Sequence, residues 1–268
     1  MRRLLIRPGA IGDCILSFPA LESQRADYTE VWISRPLVRL VPFADRVRAI
    51  ADTGLDRPEF GDALRDSLRE FDSIISWHGS HSEAFREFAA GLGVPIQILP
   101  ALPPPDAKVH ATDFFLAQVG AAPGAVASLR LPDRINDGGF AAIHPFSGGR
   151  AKNWPLEHFR ALAQLLRMPV RWTAGPQEQL ADAERFDCLH DLACWLKGAS
   201  LYVGNDSGVT HLAAAAGVPV VAVFQTSDPR VWAPRGPRVE IVEGAGVSEV
   251  HAACLRVLRA TTGPKPRG

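Results

Sequence analysis

Short apolar runs alternate along the chain with segments whose apolar positions recur at helical spacing. The predicted strands are 4–6, 31–33, 73–77, 94–99, 140–144, 170–173, 201–203, 218–224 and 239–242. The predicted helices lie near 15–21, 60–70, 82–91, 109–119, 155–166, 177–185, 209–216 and 247–258. Strands joined by helical crossovers of this length predict an α/β protein with mostly parallel sheets, covered by helices on both faces.

The alternation of strands and helices is interrupted once, near the middle of the chain. A proline-rich stretch at 99–106 and a passage rich in Gly, Pro and Ala that ends near 138 separate two similar halves. The pattern therefore predicts two Rossmann-like domains, 1–135 and 136–268, that face each other across a cleft. The final helix is expected in the second domain, with the option of packing back on the first.

Composition excludes several classes of protein. Hydrophobic residues make up 47% of the 268 residues, enough for sizeable cores. Lys and Arg number 29 and so do Asp and Glu, and this balance disfavours a protein built to bind a nucleic-acid backbone. The longest nearly uncharged stretch, 201–224, contains Asn205, Asp206 and His211, and fails as a membrane span.

The cysteines predict a reducing location. The four cysteines form no Cys-x-x-Cys pair, so neither a zinc site nor a disulfide framework is expected. We therefore expect free thiols and a cytoplasmic protein. Peripheral contact with a membrane stays open.

The first predicted strand runs into a glycine turn that ends in an acidic residue. Gly9 and Gly12 let a ligand approach the backbone at the carboxyl end of the sheet, but they lack the preceding glycine of the dinucleotide fingerprint. Asp13 falls in the first turn of the following helix. It either caps that helix and complements its dipole, or acts as a general base that the helix N-terminus keeps ionised.

A second strand-to-helix turn, 144–155, combines small residues with positive charge. The backbone N–H groups of 147–149 and the side chains of Arg150 and Lys152 predict an anion-binding loop. The alternative is a flexible loop with solvated charges, in which Trp154 anchors the entry to the helix.

A third turn, rich in Gly, Asn, Asp and Ser, joins a strand to an alanine-rich helix. The N–H groups of Ser207, Gly208 and Val209 can hold a phosphate without a metal. His211 can face the same anion from one turn inside the helix, whereas Asp206 would bind another group, such as a sugar hydroxyl. The alternative is a capped helix with a histidine in the core.

Three motifs carry a resemblance to a known family, in this order: Arg7-x-x-x-Ile11-Gly12-Asp13; His144-Pro145 with Lys152-Asn153-Trp154-Pro155-x-Glu157-His158-Phe159; and Gly204-Asn205-Asp206-Ser207-Gly208-x-x-His211. With them the chain resembles glycosyltransferase family 9, the ADP-heptose:lipopolysaccharide heptosyltransferases. The resemblance implies a GT-B fold, with the acceptor mainly on the first Rossmann-like domain and the nucleotide-sugar on the second.

The activity implied by the resemblance is an inverting, metal-independent transfer. It moves a heptose or related sugar from an ADP-sugar to a hydroxyl of a lipopolysaccharide inner-core acceptor, and it uses no cofactor. A lipid-linked acceptor would bring the protein to the cytoplasmic face of the inner membrane.

The resemblance also implies roles for individual residues. Asp13 matches the catalytic base, Lys152 the lysine that neutralises the leaving diphosphate, and Asp206 an aspartate near the donor sugar. The other donor-binding candidates are Ser147, Glu178, Ser207, Gly208, Val209 and His211, with Glu178 toward the ribose. The acceptor-binding candidates are Gly12, His78 and Arg35.

Some of these roles compete with plainer interpretations. Glu178 is equally well a solvated residue at a helix start, His78 a surface histidine, and Arg35 a solvated charge. Other functions also stay open: a related transferase with a different donor or a protein or glycan acceptor, and a nucleotide-sugar-binding protein without activity.

Overall fold

The computed structural model describes residues 1–57, 59–132 and 139–259. The chain divides into two units, Met1–Ala125 and Val126–Gly268. The boundary predicted between 135 and 136 lies outside the described residues.

The first unit contains a parallel five-stranded sheet of order β3-β2-β1-β4-β5. Its elements are β1 (Arg2–Arg7), α1 (Ile11–Ser23), β2 (Tyr28–Ile33), β3 (Arg46–Ala49), α2 (Asp62–Arg69), β4 (Ser73–Ser76), α3 (Glu83–Ala90), β5 (Ile96–Ile98) and α4 (Ala111–Gln118). The chain leaves β1 toward β2 on one side and later returns to place β4 on the other. The carboxyl ends of β1 and β4 therefore flank the point where the strand order reverses, the usual position of a ligand site in open α/β sheets.

The second unit also contains a parallel five-stranded sheet, with the different strand order β10-β9-β8-β6-β7. Its elements are β6 (Ala141–His144), α5 (Leu156–Leu165), β7 (Val170–Trp172), α6 (Leu189–Lys197), β8 (Leu201–Asn205), α7 (Gly208–Ala215), β9 (Val220–Phe224), α8 (Pro229–Trp232), β10 (Val239–Glu243) and α9 (Val247–Arg259). Here the strand order reverses between β6 and β8. The loops that follow these two strands thus meet at one edge of the sheet.

Each unit has its own hydrophobic core. Leu4 and Ile6 of β1 and Ile74 of β4 are buried in the first, as befits central strands covered on both faces. In the second unit, α9 packs against α5 and against β8, β9 and β10. This helix, for which packing on the first domain was an option, buries Val250 and Val257 in the core of the second unit.

The predicted helix at 177–185 is wrong. The chain instead turns after Gly175-Pro176 and runs back beside β7, where the Glu184 N–H donates to the carbonyl oxygen of Trp172 at 2.8 Å. Asp182 has a φ of 59°, in the left-handed region, so a continuous helix through this position is interrupted. The helix that follows β7 begins only at Leu189.

Candidate functional site

The loops after β6 and β8 are joined by one buried side chain. The Asn205 side chain donates from Nδ2 to the carbonyl oxygen of Pro145 and accepts from the Trp154 N–H, both at 2.8 Å. Trp154 is itself buried and donates from Nε1 to the carbonyl oxygen of Ala245 at 2.8 Å. Because Asn205 is fully buried and bonded to both ends of the 145–154 loop, it fixes that loop against the end of β8.

Lys152 and Asp206 form an ion pair at this edge of the sheet. Lys152 Nζ lies 2.7 Å from Asp206 Oδ2, and the same oxygen accepts a 2.5 Å hydrogen bond from Ser227 Oγ. His211 Nε2 lies 3.9 Å from Asp206 Oδ1. Asp206 is largely buried while the Lys152 side chain is 40% exposed, so Lys152 is the more accessible partner of this ion pair.

The helix α7 begins beside this ion pair. The Ser207 side chain caps it, accepting from the Thr210 N–H, while Thr210 Oγ1 donates to the carbonyl oxygen of Asn205 at 2.5 Å. The N–H groups of Gly208 and Val209, at the first two positions, have no acceptor within the helix. Together with the helix dipole and Lys152 they make a region suited to an anion.

Glu178 is held against the sheet, so it is more than a solvated side chain. Its Oε2 accepts from the Gly175 N–H at 2.6 Å and lies 3.8 Å from His144 Nε2. The other ring nitrogen of His144 bonds to the carbonyl oxygen of Thr173 at 3.0 Å. Burial lowers the pKa of His144, and Glu178 and the bond to Thr173 oppose that shift only in part. His144 is therefore neutral at pH 7 and donates to Thr173, with Nε2 turned to Glu178.

Ser147 lies in the same loop as Lys152, as expected. Its Oγ accepts from the N–H of Gly149 at 3.4 Å and so folds the loop on itself.

In the first unit, Asp13 lies in the first turn of α1, as predicted. Arg7, which is fully buried at the end of β1, contacts this turn. Arg7 donates to the carbonyl oxygens of Pro8 and Asp13, at 2.6 and 3.0 Å, and to Ser17 Oγ at 2.9 Å. Asp13 belongs to the first unit and Lys152 to the second.

The acceptor candidates differ in their surroundings. His78 borders a cavity of about 570 Å³ at the carboxyl ends of β1 and β4, where Arg57, Phe60 and His81 are also among the lining residues. Burial lowers the pKa of His78. Gly12 is the second residue of α1, and Arg35 is largely exposed and paired with Asp52. Of the three acceptor candidates, His78 is among the residues that line this cavity.

Three residues that organise the site were not predicted as site residues. Arg7 and Asn205 stand within the quoted motifs, and Ser227 lies 16 residues beyond the last of them. The hydrogen-bond partners of Asn205 and Ser227 are far away in sequence, whereas those of Arg7 lie within 10 residues. Asn205 and Pro145 are 60 residues apart, and Asp206 and Ser227 are 21 apart. For Arg7 and Asn205, the sequence signal that could have identified them was their position within a motif.

Neither a metal site nor a membrane span is found in the described part of the chain. Within 1–57, 59–132 and 139–259, no three His, Cys, Asp or Glu side chains are grouped so that they could hold a metal ion. No helix in these ranges has both the length and the apolar character needed to cross a bilayer.

Sequence comparison connects the chain to a family. Residues 117–257 match the model of glycosyltransferase family 9 (heptosyltransferase). Lipopolysaccharide heptosyltransferase 1 of Escherichia coli K12 is 36% identical over 93 residues, which span 29% of this chain and 29% of that relative.

Solved structures share the fold over nearly the whole chain. The ADP-heptose lipopolysaccharide heptosyltransferase II of E. coli has a TM-score of 0.75 at 17% identity, covering 97% of this chain and 99% of that one. The iron-containing dodecameric glycosyltransferase TibC of enterotoxigenic E. coli has a TM-score of 0.65 at 15% identity, covering 97% of this chain and 77% of that one. These likenesses confirm the predicted GT-B class with two parallel α/β sheets.

The family match covers more than half of the chain and includes the motifs around Lys152 and Asp206. The chain therefore belongs to glycosyltransferase family 9, the heptosyltransferase family.

Proposed function

We propose that the chain transfers a heptose from ADP-heptose to a hydroxyl group of a lipopolysaccharide inner-core acceptor, with inversion and without a metal ion. Family membership supports heptosyl transfer, and the name of the E. coli heptosyltransferase II supports the ADP-linked donor. The observation that carries the proposal is the partly exposed Lys152 side chain beside the first turn of α7, at the point where the strand order of the second sheet reverses.

The proposed role of Lys152 follows from the charge that develops during transfer. When the bond between the anomeric carbon and the phosphate oxygen breaks, ADP leaves with an additional negative charge. Lys152 and the N–H groups at the start of α7 stabilise this charge, because both are in place before the reaction. Asp206 then keeps Lys152 in position and accepts hydrogen bonds from sugar hydroxyls through its remaining lone pairs.

Asp13 is the proposed base. The acceptor oxygen forms its bond to the anomeric carbon as the phosphate leaves from the opposite face, which inverts the configuration. The hydroxyl proton passes to the Asp13 carboxylate. A carboxylate in the first turn of a helix is favoured in its ionised form, so it is ready to accept a proton at neutral pH.

The cavity at His78 is the proposed binding place for the acceptor sugar. Its volume of about 570 Å³ lies in the usual range for small-molecule sites. Arg57 and the imidazoles of His78 and His81 offer hydrogen bonds, and Phe60 offers an apolar face. The proposed location of the enzyme is the cytoplasm, in peripheral contact with the inner membrane where a lipid-linked acceptor is presented.

Substitution at two positions tests the proposed mechanism. In Lys152→Ala we expect kcat to fall by about 10²–10³ because the leaving diphosphate loses its cation. In Asp13→Ala we expect a loss of about 10²–10⁴ because the hydroxyl proton loses its acceptor. The measurement is the release of ADP together with the glycosylated product.

Matched controls stand in the same chain. Lys197→Ala and Glu22→Ala remove a lysine and a carboxylate at the C-terminal ends of α6 and α1, at the sheet edges opposite the proposed site, and both should keep wild-type turnover. Unchanged kcat in Lys152→Ala or Asp13→Ala would refute the assigned mechanism. A panel of other nucleotide-sugars, the anomeric configuration of the product and turnover in EDTA test the donor, the inversion and the metal independence separately.

A further inference from the structure

Arg7 is an unusual residue for the interior of a protein. Its side chain is fully buried, with no accessible surface, at the last position of β1. An arginine keeps its charge under all ordinary conditions, and a buried cation is costly unless hydrogen bonds and nearby negative groups compensate. The groups that compensate the buried charge of Arg7 therefore indicate which part of the structure it stabilises.

The side-chain hydrogen bonds of Arg7 all go to the turn after β1 and to the beginning of α1. Nη1 donates to the carbonyl oxygen of Pro8, Nη2 to that of Asp13, and Nε to Ser17 Oγ. The guanidinium carbon also lies 4.8 Å from the centre of the Phe115 ring, on α4. The rigid fork of one side chain therefore ties both ends of the 8–13 loop, and α1 beyond it, to β1.

The charge of Arg7 acts on the same turn. Burial lowers the pKa of Arg7, and the neighbouring Cys14 and Asp13 oppose that shift. Asp13 is thus, after Cys14, one of the two groups that favour the charged form of Arg7. Gly9 has a φ of 138° and packs against the Arg7 guanidinium. A Cβ atom at this position would lie 3.3 Å from Arg7 Nη1, so a larger residue would crowd the guanidinium.

We propose that Arg7 is a positioning residue for Asp13: its guanidinium donates to the carbonyl oxygens of Pro8 and Asp13 and so fixes the backbone of the turn that carries the carboxylate. The inference rests on the proposed function, in which Asp13 is the base. A base displaced by about 1 Å can lose two orders of magnitude in rate, so the effect of Arg7 is expected in kcat. The residues proposed to bind the donor lie in the second unit, so KM for the donor is expected to stay the same.

The experiment compares three single variants. Arg7→Met should lower kcat by about 10²-fold and leave KM for ADP-heptose within about twofold of wild type. Arg7→Lys should recover part of the rate, because an ammonium group keeps the charge but cannot donate to both carbonyl oxygens with the geometry of the fork. The matched control is Arg3→Met, which also removes an arginine of β1 bonded to α1, but at its far end, the carbonyl oxygen of Gln24. Arg3→Met should keep wild-type kcat.

A double substitution separates positioning from a general loss of stability. If Arg7 acts through Asp13, Arg7→Lys should lower kcat in the wild-type background and have no further effect on the residual rate of Asp13→Ala. An equal loss in both backgrounds, or a wild-type kcat in Arg7→Lys, would overturn the inference. Arg7→Lys also decides the question if Arg7→Met fails to fold. Full activity of Asp13→Ala would refute the proposed function of Asp13 as the base. Normal activity of Arg7→Lys together with an inactive Asp13→Ala would instead refute only the inference about Arg7.

Discussion

At the scale of single residues, the site depends on buried polar side chains whose burial and hydrogen bonds arise only in the folded chain. Asp13, Lys152 and Asp206 could be named from the sequence because their residue types and motifs indicate chemistry. The burial of Arg7 could not, since arginine at a strand end is usually exposed. The role of His144 was equally hidden, because its contacts with Thr173 and Glu178 arise only when β6 and β7 pair.

The neutral, buried His144 predicts a pH dependence of stability. The pKa of His144 in the folded chain is lower than the value of 6.5 expected in the unfolded chain. As the pH falls below 6.5, the unfolded chain therefore binds a proton at this residue more readily than the folded chain does. The stabilising contribution is therefore complete above about pH 6.5 and is lost as the pH falls from there toward the folded value.

We expect the free energy of unfolding to decrease more steeply on acidification in the wild type than in His144→Gln. Urea unfolding at a series of pH values between about 5 and 8 measures both. Parallel profiles of the two proteins would contradict the assignment, and the difference between them removes the contributions of the other histidines.

At the scale of elements, sequence patterning predicted the central strands and the edge strands β5, β7 and β10, but missed the edge strand β3. β6, β8 and β9 are short apolar runs, as central parallel strands are. β3 is an edge strand of sequence Arg-Val-Arg-Ala, and its two arginines conceal it from a search for hydrophobic runs. The wrong helix at 177–185 has the same origin, because the pairing of Glu184 with β7 is a tertiary interaction that local propensity does not contain.

The junction of β8 and α7 gives a prediction at this scale. In Asn205→Ala, the carbonyl oxygen of Pro145 and the N–H of Trp154 lose buried hydrogen bonds. An unsatisfied buried group costs on the order of 1–3 kcal/mol, so we expect the free energy of unfolding to fall by about 3 kcal/mol.

Asn153→Ala is the matched control, since this half-buried neighbour contacts Asn205 at 3.5 Å and leaves both of those bonds intact. Denaturant unfolding compares the two variants. Equal stability of both would show that Asn205 does not hold the loop.

At the scale of the whole molecule, two units with parallel five-stranded sheets of different strand order each bring loops together at the carboxyl edge of a sheet. The fold class was predictable because the alternation of strands and helices repeats and because the motifs occur in the order that the family has. The acceptor side was less predictable. Its candidates come from single residues of the first unit, and of these His78 borders the cavity while Arg35 is paired with Asp52.

The most direct test of the central claim is a crystal structure of the chain with ADP-heptose. We expect diphosphate oxygens within hydrogen-bonding distance of Lys152 Nζ and of the N–H groups at the start of α7, with sugar hydroxyls on Asp206. A diphosphate bound away from α7, or a metal ion bridging its phosphates, would contradict this claim.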